Sequence, residues 1–202
     1  SQLKTMCDLK GDFQSLHKLV FLDIKSRPTR DALLAHYARE AAVQAAHALL
    51  RTKTARARAE RPWRKVLSDV DDTLTCGYHY PAGCDQRFPR KTLYPGVLAL
   101  YREFDLGAHG PDQWGDGRLG NLAFMSARPH VYRDLSENFS YQKFKKLAMH
   151  RGLHAMPTML TGDLGSGAEF MLNNDFEPLA QKKFQNFLQF QALYPEFSFV
   201  FL

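Results

Sequence analysis

Short apolar runs alternate with helical patterns through the later part of the chain. Three runs, at residues 65–68, 121–125 and 156–161, lead into Asp69, Ser126 and Gly162, and a fourth run, at 197–202, is rich in aromatic residues. Between them, apolar side chains recur every three or four positions at about 97–104, 141–151 and 178–193, which indicates helices. Strands that alternate with helices are typical of βαβ units with right-handed crossovers. We therefore predict an α/β fold of three layers, α/β/α, with a mainly parallel sheet and a ligand site at the carboxyl ends of its strands.

The first part of the chain has a different pattern. From Ser26 to about Glu60 it is rich in alanine, with apolar residues three and four apart, which predicts one long amphipathic helix. Residues 51–65 hold seven basic side chains against the single acid Glu60, and Pro62 separates this basic arm from the later part of the chain. We divide the chain into an N-terminal helical extension with its basic arm, 1–62, and a second domain, 63–202. The arm is either a solvated helix face or a docking site for anionic lipid.

Composition excludes several classes of protein. With 45% hydrophobic and 24% charged residues, the chain is neither collagen-like nor mostly disordered. No stretch approaches the roughly 18 apolar residues that cross a bilayer, so we predict no transmembrane segment. The formal charge of +6 favours an anionic partner, but no nucleic-acid-binding motif accompanies it, and we expect no nucleic acid partner. Three cysteines are too few for a disulfide framework, which favours a cytoplasmic protein, with peripheral membrane association if the arm binds lipid.

The strongest chemical signal is the acidic segment Asp69-Val-Asp-Asp-Thr73, directly after the first predicted strand. Two acids one residue apart at a strand end suit a Mg²⁺-dependent phosphoryl transfer, in which one carboxylate attacks phosphorus and the other handles the leaving-group proton. The alternative interpretation is an acidic turn, because aspartate also favours local hydrogen bonding.

This segment resembles the first motif, Asp-x-Asp-x-Thr, of the haloacid dehalogenase (HAD) superfamily, and the resemblance covers residues 64–202. Within that superfamily, the sequence Leu67-Ser-Asp-Val-Asp-Asp-Thr-Leu74, the Tyr94-Pro-Gly96 step and Lys183 resemble the catalytic domain of the actin-patch-associated phosphatidate phosphatase family. The resemblance implies a HAD-like Rossmannoid fold with a minimal cap, and removal of phosphate from phosphatidate to leave diacylglycerol. The same chemistry on a soluble phosphate or a phosphoprotein, and a non-catalytic lipid-binding or scaffold module, are the alternatives.

The resemblance also implies roles for the residues of the motif. Asp69 would be the nucleophile that becomes an aspartyl phosphate, and Asp71 the acid that protonates the departing alkoxide and then activates water. The Asp69 carboxylate and the Asp71 main-chain carbonyl would hold Mg²⁺. Thr73 would orient the loop.

Three further residues complete the expected phosphate site. Ser126, at the end of the second predicted strand, matches the second HAD motif, whose hydroxyl binds a phosphoryl oxygen. Arg128 is either an additional phosphate contact or a surface arginine. Lys183, which matches the third motif on the helix before the last strand, would pair with the nucleophile and the phosphoryl group. Its neighbour Lys182 is the obvious competitor for that role.

The fourth HAD motif, which supplies further carboxylates to Mg²⁺, should come after the last strand, where this chain ends. We accordingly expect a piece of a longer protein that binds Mg²⁺ weakly and turns over poorly. In a competing register, Gly162-Asp163 is the fourth motif and Lys145 or Lys146 is the upstream lysine. That register places Asp163 beside Asp69, and it leaves the last helix and strand without a purpose.

The segment after the acidic motif, about Gly77 to Lys91, is short for a cap domain and would leave the site open. Cys76, His79 and Cys84 lie within nine residues of one another at its start and suggest a zinc site. They lack a fourth ligand, so free thiols are the favoured interpretation.

Overall fold

The computed structural model describes residues 16–49, 64–77, 87–106, 121–129, 135–162 and 177–202. A short π-helical turn, Lys18–Asp23, precedes the regular elements of these ranges. In chain order, those elements are α1 (Arg27–Leu49), β1 (Arg64–Asp69), α2 (Val97–Leu106), β2 (Leu122–Pro129), α3 (Leu135–Arg151), β3 (Thr158–Gly162), α4 (Glu177–Leu193) and β4 (Ser198–Phe201).

The four strands form one parallel sheet in the order β3-β2-β1-β4. This arrangement confirms the predicted α/β fold with a parallel sheet. The chain proceeds outward from β1 through β2 to β3 and then returns to the other side of β1 to form β4. The direction of winding therefore reverses between β1 and β4, and such a reversal is where open α/β sheets bind ligands, beyond the carboxyl ends of the strands.

Two elements extend beyond their predicted bounds. β2 continues to Pro129, because pairing with β3 resumes at Pro129 and Gly162 after a register shift that comes after Met125. α3 begins at Leu135, before the apolar spacing starts. The prediction missed its first turns because they are mostly polar and show no hydrophobic periodicity. Both differences lie at element ends, where sequence patterns are least informative.

Successive side chains of each strand are buried on opposite faces of the sheet, because side chains alternate along a β-strand. Val66 and Phe124 lie on the face covered by α2 and α3, and Leu67 and Ala123 on the face covered by α4. β1 is buried on both faces, which explains why the adjacent residues Val66 and Leu67 are both apolar. These two apolar clusters make the molecule three layers thick.

The described part of the N-terminal extension belongs to the second cluster. Leu16, Val20 and Tyr37 are buried there together with Leu67 and Phe190. The predicted long helix is observed as α1 up to Leu49, and residues 50–63, which include most of the basic arm, lie outside the described residues. Among the described helices, none is both long enough and apolar enough to cross a membrane.

A buried lysine connects β1 to the end of α4. Lys65 is only 2% exposed, and its ammonium lies over three aromatic rings. The distances from Nζ to the ring centroids are 4.1 Å for Tyr194, 5.0 Å for Phe197 and 5.6 Å for Phe190. Contacts of this kind stabilise a desolvated ammonium by about 2 kcal/mol. They fix the position of α4 relative to the strand that leads into the acidic motif.

A buried carboxylate connects three elements near the amino ends of the strands. Asp105, near the end of α2, accepts the main-chain N–H of Asn121 on both carboxylate oxygens, at 3.2 and 3.3 Å. Its Oδ2 also lies 2.6 Å from Nε2 of His154, in the segment that leads into β3. The carboxylate therefore joins the start of β2 and the approach to β3 to the helix between β1 and β2.

We expect Asp105→Ala to destabilise the protein by about 3 kcal/mol, because it leaves the buried imidazole and the Asn121 amide without their acceptor. The measurement is the free energy of unfolding in urea. The double variant Asp105→Ala/His154→Leu should lose less than the sum of the two single variants, since the two side chains contact each other. Additive losses would contradict this account of the pair.

Candidate active site

Asp69, the last residue of β1, forms an ion pair with Lys183 in the second turn of α4. Nζ of Lys183 contacts Oδ2 of Asp69 in a direct hydrogen bond. The Asp69 side chain is 31% exposed and that of Lys183 is 30% exposed. Because both groups are partly open to solvent, a ligand can reach the pair from outside. The pair lies at the carboxyl end of β1, next to the reversal in the winding of the sheet.

The spacing of residues along α4 explains why Lys183, and not its neighbour, meets Asp69. Asn186 and Phe190, three and seven positions further along the helix, are buried, so Lys183 is on the stripe of α4 that faces the sheet. Phe184, the next residue, is 60% exposed. Of the two adjacent lysines that the sequence offered, the structure brings Lys183 to Asp69.

The second carboxylate oxygen of Asp69 has its own partner. Oδ1 accepts the main-chain N–H of Val70 at 2.7 Å. With Oδ1 bound to this N–H and Oδ2 to the lysine, the carboxylate is held in one orientation. A carboxylate that is held in this way and remains partly exposed can act as a nucleophile toward a bound ligand.

The loop after Asp69 is closed by its own backbone. The N–H of Thr75 donates to the carbonyl of Val70 at 3.0 Å, and the N–H of Asp72 donates to the carbonyl of Thr75 at 2.8 Å. Asp72 adopts a left-handed conformation with φ of 60°, which aspartate tolerates better than most residues. Its Oδ1 accepts the N–H of Gly77 at 2.7 Å. These bonds turn the chain sharply within a few residues of the ion pair.

A second segment anchors this loop. The main-chain N–H of Cys76 donates to the carbonyl of Thr92 at 2.9 Å, and its carbonyl accepts the N–H of Lys91 at 2.7 Å. The N–H of Tyr94 donates to the carbonyl of Leu74 at 3.2 Å. The loop is therefore held between β1 and the start of α2.

The expected loop residues Asp71 and Thr73 both belong to this turn and are half-buried. Asp71 pairs through its backbone with Thr75. The hydrogen bonds that close the loop come from Asp72 and Thr75, whose hydroxyl also donates to the carbonyl of Val70 at 3.3 Å. Sequence reasoning assigned the ordering role to Thr73 and missed Thr75, although a second threonine in so short a turn was a signal that could have found it.

The oxygen ligands present at the site suit a hard cation. Mg²⁺ is commonly held by one or two carboxylates together with waters and substrate phosphate, and Asp69 and Asp71 supply oxygens of that type. Within the described ranges, no group of three or more His, Cys, Asp or Glu side chains is placed to hold a metal ion. The oxygens of Asp69 and Asp71 match the ligand type that Mg²⁺ prefers.

The other predicted phosphate ligands lie on β2 beside the ion pair. Met125 is directly opposite Asp69 in the register of the two strands, and Ser126 is the next residue. The backbone of Ser126 is therefore adjacent to the end of β1, while Arg128 is two residues further along β2. The side chains of Ser126 and Arg128 lie outside the part of the chain that the structure describes.

The competing register is not favoured by these positions. Lys145 and Lys146 are exposed on α3, whereas Lys183 is the lysine in contact with Asp69. Asp163 itself lies outside the described residues. Of the three residues weighed as zinc ligands, Cys76 is a buried free thiol, with its Sγ 3.5 Å from the carbonyl of Phe88. His79 and Cys84 lie outside the described residues.

Two buried hydroxyl groups lie directly beneath Asp69 and were not anticipated from the sequence. Oγ of Ser68 is 2.7 Å from the hydroxyl of Tyr101 on α2, and both residues are fully buried. Burial raises the pKa of Tyr101, and the negative charge of Asp69 raises it further, while the hydrogen bond with Ser68 acts in the opposite direction. The phenol is therefore a neutral donor at physiological pH.

We expect Gly77→Ala to disrupt the loop, because the added Cβ would lie 2.8 Å from Oδ2 of Asp72 and displace the carboxylate that the Gly77 N–H now binds. A loss of about 1–2 kcal/mol in the free energy of unfolding should result. Urea denaturation measures it.

The matched background is Asp72→Gly, which removes the side chain that the new methyl group would meet and tolerates the positive φ. The substitution at position 77 should cost less in that background than in the wild-type chain. An equal cost in both would mean that the clash with Asp72 is not its cause.

Comparison with known proteins adds no relative to this picture. A scan against protein-family models, a search of curated proteins and a search of solved structures each found no match. The function proposed for the chain accordingly rests on its own residues and on their resemblance to the HAD motifs.

Proposed function

We propose that the chain is a Mg²⁺-dependent phosphomonoester hydrolase that acts through an aspartyl-phosphate intermediate on Asp69. The observation on which the proposal depends is the ion pair between Asp69 and Lys183, formed at the carboxyl end of β1 where the winding of the sheet reverses. A carboxylate and an ammonium, both fixed and both partly exposed, provide a nucleophile and a positive charge for an incoming phosphate group.

The first chemical step uses Asp69 and Asp71. An oxygen of Asp69 forms a bond to phosphorus while the bond from phosphorus to the alcohol oxygen breaks, and Asp71 gives its proton to that departing oxygen. Lys183 balances negative charge on the phosphoryl oxygens as they approach the anionic nucleophile. The fixed orientation of the carboxylate lowers the entropic part of the barrier.

The second step returns Asp69 to its starting state. Asp71, now ionised, removes a proton from water, whose oxygen bonds to phosphorus as the bond to Asp69 breaks, and inorganic phosphate leaves. When bound by the Asp69 carboxylate and the Asp71 carbonyl, Mg²⁺ would neutralise part of the phosphoryl charge. Ser126, next to the residue opposite Asp69, is the proposed donor to a phosphoryl oxygen.

The substrate that the motif resemblance implies is phosphatidate, presented at an anionic membrane surface. Soluble phosphomonoesters and phosphoproteins undergo the same chemistry, since the catalytic groups do not determine the rest of the substrate. Assays with phosphatidate in vesicles, with a soluble phosphomonoester and with a phosphopeptide therefore distinguish these substrate classes. Faster turnover of phosphatidate is the expected result.

We expect Asp69→Asn to lower the rate of Mg²⁺-dependent phosphate release by at least about 1,000-fold, because an amide cannot form the acyl phosphate. The assay measures inorganic phosphate, and labelled substrate should leave an acid-stable, hydroxylamine-sensitive phosphate on the wild-type chain alone. Asp31→Asn, an exposed acid on α1, is the matched control and should retain wild-type activity.

Equal phosphate release by wild-type protein and Asp69→Asn would show that Asp69 is not the nucleophile. If the wild-type chain released no phosphate from any of the three substrate classes, the hydrolase proposal would be wrong, and a lipid-binding or scaffold role would be favoured instead. Pelleting with phosphatidate vesicles tests that role directly.

The two adjacent lysines of α4 provide a second matched comparison. Lys183→Met should lower kcat/KM by about 100-fold, because it removes the charge that faces both the nucleophile and the phosphate. Lys182→Met removes the same charge one position away and should change kcat/KM by less than about threefold, because Lys183 is the lysine that contacts the proposed nucleophile. Similar losses in the two variants would mean that overall charge matters and the ion pair does not.

A further inference from the structure

The buried hydroxyl groups of Tyr101 and Ser68 form one chain of hydrogen bonds with Asp69. Oγ of Ser68 is 3.3 Å from the main-chain carbonyl of Asp69, to which it donates its single proton. The hydroxyl of Tyr101 lies 2.7 Å from Oγ of Ser68, and either oxygen can donate in that contact. When Ser68 donates to the carbonyl of Asp69, Tyr101 is the donor to Ser68, and the hydrogen bonds run from Tyr101 through Ser68 to that carbonyl.

The peptide group between Asp69 and Val70 connects this chain to the ion pair. The carbonyl that accepts from Ser68 and the N–H of Val70 belong to the same planar unit, so fixing one end fixes the other. That N–H donates to Oδ1 of Asp69 at 2.7 Å. The other oxygen of the same carboxylate, Oδ2, is the one that contacts Lys183.

Packing holds Tyr101, the first residue of this chain of hydrogen bonds, in place. Tyr101 is fully buried, and its ring lies edge-on to Phe124, with 5.5 Å between the centroids. Phe124 in turn stacks on Phe144 of α3, at 5.0 Å. Tyr101, on α2, therefore packs against β2, and Phe124 of β2 is backed in turn by α3. The core, and not the loop, sets the position of its hydroxyl.

We propose that Tyr101 is a positioning residue for Asp69: its hydroxyl, acting through Ser68 and the peptide between Asp69 and Val70, sets the orientation of the carboxylate that meets Lys183. This inference rests on the proposed function only for its effect on turnover. Its effect on the ion pair is independent of any reaction. Burial and the charge of Asp69, which raise the pKa of the phenol, keep it in the donor form that this role requires.

The variant Tyr101→Phe tests the proposal by removing the hydroxyl oxygen of the tyrosine. It should lower kcat by about tenfold, the effect of one lost hydrogen bond, because the Asp69 carboxylate is no longer held in position. KM should change by less than about twofold, because the contacts with the phosphate group remain. Tyr37→Phe is the matched control: Tyr37 is also buried, but in the other apolar cluster, and its variant should leave kcat unchanged. A loss of kcat no greater than that of Tyr37→Phe would overturn the proposal.

A thermodynamic cycle tests the same proposal without turnover. Urea unfolding of Tyr101→Phe, Lys183→Met and the double variant should show that the two effects on the unfolding equilibrium constant differ from additivity by at least about threefold. The corresponding cycle with Tyr37→Phe should be additive. An additive cycle for Tyr101 would overturn the proposal, whatever the chain catalyses.

The two measurements also separate this inference from the proposed function. If the wild-type chain released no phosphate, the hydrolase proposal would fail, and the unfolding cycle would still decide the role of Tyr101. If Tyr101→Phe did not fold, Ser68→Ala, which breaks the same chain at its middle link, would replace it in both measurements with the same expected results.

Discussion

Burial of β1 on both faces is the constraint on which the rest of the molecule depends. A parallel strand in the middle of a sheet must present alternate side chains to two different layers, and β1 does so with Val66 on one side and Leu67 on the other. The same alternation sends Ser68 toward α2 and Lys65 toward the end of α4. Ser68 therefore contacts a residue of α2, and Lys65 contacts the end of α4, before the strand ends at Asp69.

The candidate site results from that arrangement together with the topology of the sheet. Because the chain winds away from β1 and later returns on its other side, α4 must cross back over the sheet before it enters β4. That crossing brings the second turn of α4 to the carboxyl end of β1, and the sheet-facing stripe of the helix contains Lys183. Asp69 and Lys183, which are 114 positions apart in the chain, meet because of this connectivity. Their ion pair then links the helix to the strand.

The sequence was sufficient for the features that depend on local pattern. Four apolar runs between helical segments predicted the parallel sheet, and the acidic motif at the end of the first run marked the site. The pairing of Asp69 with Lys183 was implied by the resemblance to the HAD motifs and not by the local pattern. The sequence was insufficient to predict the role of a side chain whose partner lies far away in the chain. Ser68 reads as an ordinary strand residue, since Tyr101 is 33 positions away. Lys65 belongs to a predicted buried strand, yet the aromatic rings around its ammonium come from the end of α4 and the segment before β4. Thr75 was not considered, because the motif names only the threonine at position 73, whereas the closure of the turn depends on backbone hydrogen bonds that a motif does not record.

The buried Asp105–His154 contact and the candidate site lie at opposite ends of the same sheet. The contact between Asp105 and His154 joins elements near the amino ends of the strands, and the pair of Asp69 and Lys183 lies beyond their carboxyl ends. Residues around the exposed rim can therefore diverge toward new ligands while the far end continues to hold the layers together.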